Sequence, residues 1–401
     1  AGNASVSAFS ATSASVYTAL ITPTADGSVT VDVAGSVAQD GVGNRNTAAT
    51  QLAVTYDATA PTVAISGASG NINAAFTATF TFSEAMSGIV NNNYISVSNA
   101  SVSAFNAISS SVYTALITPT ADGVVTVDVT AGVVQDTAGN NNTAAVQLAV
   151  TYDGTQPSVV ISGASGSINA AFTATFTFSE NVTGFTVGDI VAGNASVSAF
   201  SATSASVYTA LITPTADGSV TVDVAGSVAQ DGVGNNNTAA TQLAVTYDAT
   251  APTVAISGAS GNINAAFTAT FTFSENVTGF TVGDIVAGNA SVSAFSATSA
   301  SVYTALITPT ADGAVTVDVA GSVAQDGVGN SNTAATQLAV TYDGTAPTVA
   351  ISGASGSINA PFTATFTFSE NVTGFTVGDI VAGNASVSAF SATSASVYTA
   401  L

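Results

Sequence analysis

The chain of 401 residues carries a net charge of −22 at pH 7, with 23 acidic residues against one arginine, and 47% of its residues are hydrophobic. That hydrophobic fraction suffices for a packed core, so the acidity does not indicate a disordered tail. Nucleic acid and anionic membrane surfaces are not expected as partners, because binding phosphates requires Lys and Arg to displace counterions. Membrane insertion is not expected either, since no apolar run approaches the roughly 18 residues of a membrane-spanning helix.

The absence of Cys, His and Lys excludes most catalytic chemistry. Without Cys there are no disulfides or thiolate metal sites, and without His the usual general base and zinc ligand are missing. A nucleophilic serine would lack an activating side chain. Hydrolysis by a pair of carboxylates remains, but such a pair would have to recur in every copy of the repeat described next. We therefore expect that the protein is not an enzyme.

One long motif returns at a fixed interval along the chain. Its asparagine is Asn3, Asn99, Asn194, Asn289 and Asn384, which gives steps of 96, 95, 95 and 95 residues. This period is too long for a solenoid repeat and suits a self-contained small domain. The predicted segments are 1–57 (the C-terminal half of a repeat), 58–153 (a variant copy), 154–248, 249–343, and 344–401 (the N-terminal half of a repeat).

Within one period the pattern predicts strands throughout. The order is FTATFTF (172–178), FTVGDIVAG, ASVSAFSA, VYTALITP (207–214), VTVDVAGSVA (220–229) and QLAVTYD (242–248), after which PTVAISG (252–258) opens the next copy. Alternation of Phe or Ala with Thr indicates a strand with one buried face. About seven short strands in some 95 residues predict an all-β chain of antiparallel Ig-like β-sandwiches, extended like beads on a string.

These residues resemble the bacterial Ig-like repeat that occurs in tandem in large surface proteins and adhesins. The strongest marks are FSENVTGF, ITPTADGSVTVDV and QDGVGNNNTAA, and the resemblance covers the entire chain. It implies an extracellular, non-catalytic stalk or adhesive array. The copy 58–153 departs from the pattern, because the stretch 83–100 is one residue longer and lacks the Asp of VGDI. Without Cys and Trp, the core between the sheets should consist of Phe, Val and Ile.

The two terminal segments leave two interpretations open. The chain has neither an initiator Met nor a signal peptide, which favours a processed form or a segment of a longer repetitive protein. Alternatively, the halves 1–57 and 344–401 of neighbouring chains complete one another by strand addition and build a head-to-tail filament.

The acidic residues occupy six positions of the repeat, which in 154–248 are Glu180, Asp189, Asp217, Asp223, Asp231 and Asp248. Loops at the two ends of a sandwich carry four of them, and in a tandem array one domain's second end meets the next domain's first. The joint before 154–248 should therefore gather Asp122, Asp153, Glu180 and Asp231. We assign no site role to Asp223, and for Asp189 and the Asp of TADG (Asp122 and Asp217) we favour a purely structural role.

Carboxylates that converge without a base repel one another, by about 1–4 kcal/mol per pair at roughly 4 Å. A bound cation relieves this repulsion, and oxygen ligands, with the side chains of Asn235 and Asn237 nearby, suit Ca²⁺. The predicted calcium ligands are Asp57, Glu84, Asp136, Asp153, Glu180, Asp231, Asp248, Glu275, Asp326, Asp343 and Glu370. The structural alternative is that Asp57 caps a turn, that DGVGN is a tight loop, and that Asp217 is an ordinary hairpin residue.

Two functions remain in view. The first is an extracellular structural protein, a filament, stalk or matrix fibre at the cell surface, with calcium-stiffened joints and copies of itself as partners, end to end or side by side. The second is an adhesin whose repeats, or a distal domain, bind a glycan, ice or a host-surface ligand. Near-identity of the copies favours the structural protein, because a spacer gains from length whereas a receptor site needs presenting once.

Overall fold

The structure, a computed structural model, describes residues 1–87 and 91–401. Within these ranges the chain is all-β apart from short 3-10 turns, and no helix there has the length and apolar character needed to cross a membrane. Two compact units comprise Ala1–Ala164, Ala171–Thr215 and Val220–Ala244 for the first, and Ser165–Ala170, Ala216–Ser219 and Val245–Leu401 for the second. The predicted all-β architecture of tandem Ig-like sandwiches is confirmed.

The first unit begins with segments 1–57 and 58–153. Segment 1–57 contains β1 (Ala4–Ala11), β2 (Tyr17–Pro23), β3 (Gly27–Val31) and β4 (Leu52–Tyr56), paired as β1 with β2 and β3 with β4. Segment 58–153 contains β5 (Val63–Ser66), β6 (Asn71–Ile72), β7 (Phe76–Phe82), β8 (Met86–Ser87), β9 (Ser96–Ser98), β10 (Ala100–Ala107), β11 (Val112–Pro119), β12 (Gly123–Asp128), β13 (Gln135–Asp136) and β14 (Leu148–Tyr152). Its sheets run β10-β11-β7-β5, β6-β14-β12-β9 and β13-β8.

Segment 154–248 has the same plan. Its strands are β15 (Val159–Ser162), β16 (Ser167–Ile168), β17 (Phe172–Phe178), β18 (Ile190–Gly193), β19 (Ala195–Ala202), β20 (Val207–Pro214), β21 (Gly218–Val224) and β22 (Leu243–Tyr247). They form two four-stranded sheets, β15-β17-β20-β19 and β16-β22-β21-β18.

The second unit contains segments 249–343 and 344–401. The former has β23 (Val254–Ser257), β24 (Asn262–Ile263), β25 (Phe267–Phe273), β26 (Ile285–Gly288), β27 (Ala290–Ala297), β28 (Val302–Pro309), β29 (Gly313–Val319) and β30 (Leu338–Tyr342), in sheets β23-β25-β28-β27 and β24-β30-β29-β26. The latter has β31 (Val349–Ser352), β32 (Ala364–Phe368), β33 (Ser391–Ala392) and β34 (Val397–Ala400), in one sheet ordered β31-β32-β34-β33.

The copies 154–248 and 249–343 each have eight strands rather than about seven, because a short additional strand follows the opening strand. In 249–343 the break between β23 and β24 includes Gly261, whose φ of +68° lies in the left-handed region that glycine tolerates. After the break the chain enters the other sheet, where β24 pairs in parallel with β30. The expected opening strand 252–258 therefore forms β23 alone, and β24 is an additional strand that the sequence did not predict.

Alternation along β25 places its apolar side chains in the core. Ala269, Phe271 and Phe273 are buried, while Thr268 and Thr272 are exposed. The buried cluster of this copy consists of Val, Ile, Phe, Ala and one Tyr. The predicted core of Phe, Val and Ile is therefore present, with Ala and Tyr in addition. Removing its apolar area from water is the main force that holds the sheets together.

A β-bulge in β27 directs an aromatic side chain against this core. The register with β28 shifts between Ser293 and Ser296, and Ala294 adopts a φ of 48°. The extra residue allows Phe295 to stack on Tyr303, with ring centroids 5.8 Å apart and an interplanar angle of 15°. A non-glycine residue in this backbone region is unfavourable, so packing of the aromatic pair must offset that local strain.

The variant copy closes its middle loop differently. In 249–343, Thr281 and Asp284 form a capping box on the 3-10 turn Val282–Asp284. In 58–153 the turn is Asn92–Tyr94, and the side chain of Asn91 accepts a hydrogen bond from the backbone N–H of Asn93. An Asn cap thus replaces the missing Asp. Of the longer stretch 83–100, residues 88–90 lie outside the described residues.

Candidate metal centre

Three carboxylates meet at each of three joints between consecutive copies. At the joint before 154–248 they belong to Asp153, Glu180 and Asp231, and each offers an oxygen that lies within 4.8 Å of the others. The equivalent groups are Asp57, Glu84 and Asp136, and Asp248, Glu275 and Asp326. Nine of the eleven predicted ligands are therefore brought together in threes.

A short bridge between two loops positions two members of each triad. Thr183, which follows Glu180, and Gln230, which precedes Asp231, exchange backbone hydrogen bonds of 2.7 and 3.0 Å. The loop that follows β17 is thereby fixed beside the loop that follows β21. The third member, Asp153, follows β14 of the preceding copy and arrives through the linker.

The loop that carries Asp231 is built around the carboxylate of that residue. Oδ1 of Asp231 accepts hydrogen bonds from the backbone N–H groups of Val233, Gly234 and Asn235 at 2.7–2.9 Å, and Oδ2 accepts one from Asn235 Nδ2 at 2.8 Å. The buried polar and charged side chains in the described ranges are Asp136, Asn142, Asp231, Asn237, Asp326 and Asn332. All six belong to this loop in its three copies, so in each copy the loop buries one carboxylate and one asparagine side chain.

The same loop also contacts the linker directly. Asn235 Nδ2 donates to the backbone carbonyl of Asp153 at 2.9 Å. The equivalent bonds run from Asn140 to Asp57 at 3.1 Å and from Asn330 to Asp248 at 2.9 Å. Each triad thus sits where two copies are already joined by protein hydrogen bonds.

The glutamate is the member of each triad whose charge is least favourable. Burial, followed by the charges of Asp153, Asp231 and Asp122, raises the pKa of the Glu180 carboxyl above its ordinary value. The pKa values of Glu84 and Glu275 are raised in the same way. Because no base lies in the cluster to compensate, a cation is the natural counter-charge.

The buried aspartate has the opposite shift. Burial acts to raise the pKa of Asp231, but the hydrogen bonds from Asn235, Val233 and Gly234 outweigh it and lower the pKa. The carboxylate is therefore held in its charged form, as a metal ligand must be.

The linker aspartate combines both roles that the sequence left open. Asp153 Oδ1 accepts from the N–H of Thr155 at 3.2 Å, which is the turn cap of the structural alternative. The same carboxyl group also contributes to the triad. A turn cap and a place in the cluster are therefore compatible.

Asp122 lies beside the triad but has another task, which the sequence did not reveal. Its Oδ1 accepts from the N–H of Gly154 at 2.6 Å, and its Oδ2 accepts a short hydrogen bond from the hydroxyl of Thr155. Asp122 is thus a clamp on the linker: it lies at the joint as expected, and it is not one of the predicted calcium ligands. The same clamp recurs as Asp26 with Thr59, Asp217 with Thr250 and Asp312 with Thr345. A Thr two residues after every linker Asp was the available signal.

Replacing Asp122 by Ala should loosen the linker after 58–153. The N–H of Gly154 then loses its acceptor, so we expect its hydrogen exchange to accelerate at least about tenfold, since local opening governs exchange. Hydrogen exchange read by NMR measures the effect, and the equivalent Gly344 N–H, held by Asp312, is the internal control. Unchanged exchange at Gly154 in the D122A variant would contradict the clamp.

Three further residues that the sequence placed near calcium lie outside the triads. Asn237 is not a free ligand, because its Oδ1 accepts from the N–H groups of Val228 and Ala229 and its Nδ2 donates to two carbonyls within its own loop. Asp343 and Glu370, the remaining predicted ligands, line one groove in the second unit.

The donor set of each triad fits a hard divalent cation. Its members are carboxylates only, with no His or Cys in the chain. Calcium accepts such oxygen ligands in flexible geometry, whereas magnesium demands near-ideal octahedral geometry and retains several waters.

Comparisons with known proteins agree with the fold. A family model described as a bacterial Ig-like domain matches residues 57–152, 153–247, 248–342 and 343–401. No curated protein matches the chain.

Several solved structures resemble the chain at low identity. FdeC, an Escherichia coli adhesin, is 16% identical, with 72% of this chain and 98% of that chain covered and a TM-score of 0.32. Invasin, a bacterial integrin-binding protein, is 14% identical over 85% and 73%, with a TM-score of 0.33. InvD of Yersinia pseudotuberculosis is 15% identical over 71% and 98%, with a TM-score of 0.30. These values carry no argument about function, so the family match is the finding that counts.

Proposed function

Because the chain belongs to the bacterial Ig-like domain family, we propose that it is a non-catalytic structural protein of the cell surface. In this proposal the tandem domains form a filament, stalk or matrix fibre, and calcium binds at their joints. The supporting observation is the carboxylate triad, which recurs at three joints with its oxygens within 4.8 Å. A chain with one base among 401 residues has no other obvious means of neutralising these clusters.

Calcium would act by favouring the aligned state of each joint. Two of its ligands, such as Glu180 and Asp231, belong to one copy and the third, Asp153, follows the last strand of the copy before it. A cation held by all three is bound only when linker and loops are in place, so mass action stabilises that arrangement. The protein hydrogen bond from Asn235 to Asp153 defines the same arrangement without metal.

Calcium titration of the metal-free chain by calorimetry tests the proposal. We expect three sites per chain, one for each triad, with dissociation constants of about 10⁻⁴–10⁻³ M, as in extracellular calcium modules. Magnesium should bind far more weakly. No calcium binding at about 10 mM free metal, well above that range, would contradict the proposal.

A matched pair of variants locates the sites. Glu180→Gln removes one charge from a triad and should reduce the stoichiometry from three to two. Asp223→Asn removes one charge from a strand outside the joints, where Asp223 pairs with Gln242, and should leave three sites. Equal loss in both variants would indicate unspecific attraction of cations to an acidic chain.

A further inference from the structure

One sheet of every copy presents an outer face without charge. Strands β15, β17, β20 and β19 contain none of the 23 acidic residues and not the single arginine. The corresponding strands of 58–153 and 249–343 are equally free of charge. The other sheet carries Asp223 in β21, and the remaining acidic residues lie in turns and at the joints.

Hydroxyl side chains form a continuous row across this face. The strand register places Ser162 opposite Thr175, Thr175 opposite Thr209, and Thr209 opposite Ser201. The equivalent rows are Ser66, Thr79 and Thr114, with the amide of Asn106 in the fourth place; Ser257, Thr270, Thr304 and Ser296; and Ser352, Thr365, Thr399 and Ser391.

Aliphatic groups flank the hydroxyl row. Val160 is 63% exposed at the edge strand β15, and it lies opposite Thr177. On the other side, half-buried Leu211 lies between exposed Thr173 and Ser198. The face therefore offers both apolar area and groups that donate and accept hydrogen bonds.

The distribution of charge on the chain indicates how a second copy could bind. Two copies of a chain with a net charge of −22 repel one another through almost any other surface, because like charges brought together are unfavourable. The uncharged face is where such copies can approach with least repulsion. We propose that this face is a lateral docking surface for the same face of a second copy of this chain.

The size of the face predicts how docking depends on the number of copies. Four strands about 4.8 Å apart and seven residues of about 3.3 Å each span roughly 19 by 23 Å. This is about half of the roughly 800 Å² that each partner buries in a stable interface. One face is too small, so at least two faces of one chain must engage, and the repetition of nearly identical copies supplies them.

Sedimentation of the full chain at increasing protein concentration tests this inference, which rests on the proposed structural role but not on calcium. We expect the weight-average mass to exceed that of one chain and to rise further at about 0.5 M NaCl, where charges are screened beyond roughly 4 Å. The same behaviour in EDTA separates this outcome from a failure of the calcium proposal.

Two triple variants with equal added charge give the decisive comparison. Thr77→Asp, Thr173→Asp and Thr268→Asp place charges on the exposed docking faces, while Val124→Asp, Ser219→Asp and Ala314→Asp place them at exposed positions of the opposite sheets. The first set should weaken association at least about tenfold, since it buries unpaired charges. The second should associate like the wild type at 0.5 M NaCl, where added surface charge is screened to roughly 4 Å.

Three results would overturn the inference. The wild type could remain a single chain at every concentration and salt. The two triple variants could be weakened equally, which would indicate association through another surface. Finally, the wild type could remain a single chain and bind a neutral polysaccharide such as dextran. If the first triple variant lost this binding and the second kept it, the face would be a glycan site instead.

Discussion

In EDTA, replacing Glu84, Glu180 and Glu275 together by Gln should raise the unfolding temperature, whereas in calcium the same variant should unfold below the wild type. The reason for the rise is that each glutamate pKa is raised by burial and by neighbouring aspartates. Their charged forms therefore oppose folding, and an uncharged amide of the same shape removes that penalty.

The reversal in calcium follows from lost ligands. At free calcium 100-fold above the dissociation constant, each occupied site stabilises its folded joint by about 2.7 kcal/mol. The wild type gains this at three joints, and the Gln variant gains little, because an amide oxygen carries no charge. Opposite signs from one variant distinguish a metal site from simple repulsion.

The pH dependence in EDTA has a defined direction. A glutamate with a raised folded pKa opposes folding increasingly as the pH rises from its ordinary value of 4.5 through that raised pKa. The difference between wild type and Gln variant should therefore vanish below about pH 4.5. Asp231 and Asp326 act oppositely, because their lowered pKa values stabilise the fold above 3.8, and this stability is lost as the pH falls through the lowered values.

Differential scanning calorimetry at pH 7 and pH 4, with EDTA or calcium, measures the effects of the glutamate substitutions, and scans below pH 3.8 measure the loss expected from Asp231 and Asp326. The Asp223→Asn variant serves as control, since it removes an acid outside the triads and should retain the full gain from calcium. A Gln variant that is less stable than the wild type in EDTA would show that the glutamates stabilise the joint through contacts other than charge. An undiminished gain from calcium would place the metal elsewhere.

The sequence sufficed for the architecture because the alternation in segments such as FTATFTF directly records which face is buried. It also sufficed for the triads, since linker, first loop and last loop must meet when sandwiches follow one another. It could not reveal the clamp that Asp122 forms, because that contact depends on which way a linker only a few residues long turns. Likewise, the sequence suggested Asn237 as a ligand, because it could not show that the oxygen and the nitrogen of this amide both form hydrogen bonds that close the loop.

Replacing Phe280 by Ala should destabilise one copy and leave the stability of the others unchanged. Phe280 is 6% exposed, and its ring centroid lies 5.1 Å from those of both Phe273 and Tyr303, at angles of 71° and 73°. It also contacts Phe271 and Phe295. Truncation of such a residue costs about 3–5 kcal/mol, a large share of the roughly 5–15 kcal/mol that stabilises a domain.

The selectivity of this loss is the informative part, since each copy has its own core. Limited proteolysis read by mass spectrometry should place new cleavage sites within 249–343, and calorimetry should show a separate transition at lower temperature. Phe185→Ala is the matched control, because Phe185 has the same ring contacts in 154–248 and should shift the cleavage there. If either variant lowered the unfolding temperature of the whole chain in a single transition, the copies would be cooperatively coupled through their joints. Calcium should then stabilise the copy that carries the substitution as strongly as the intact copies.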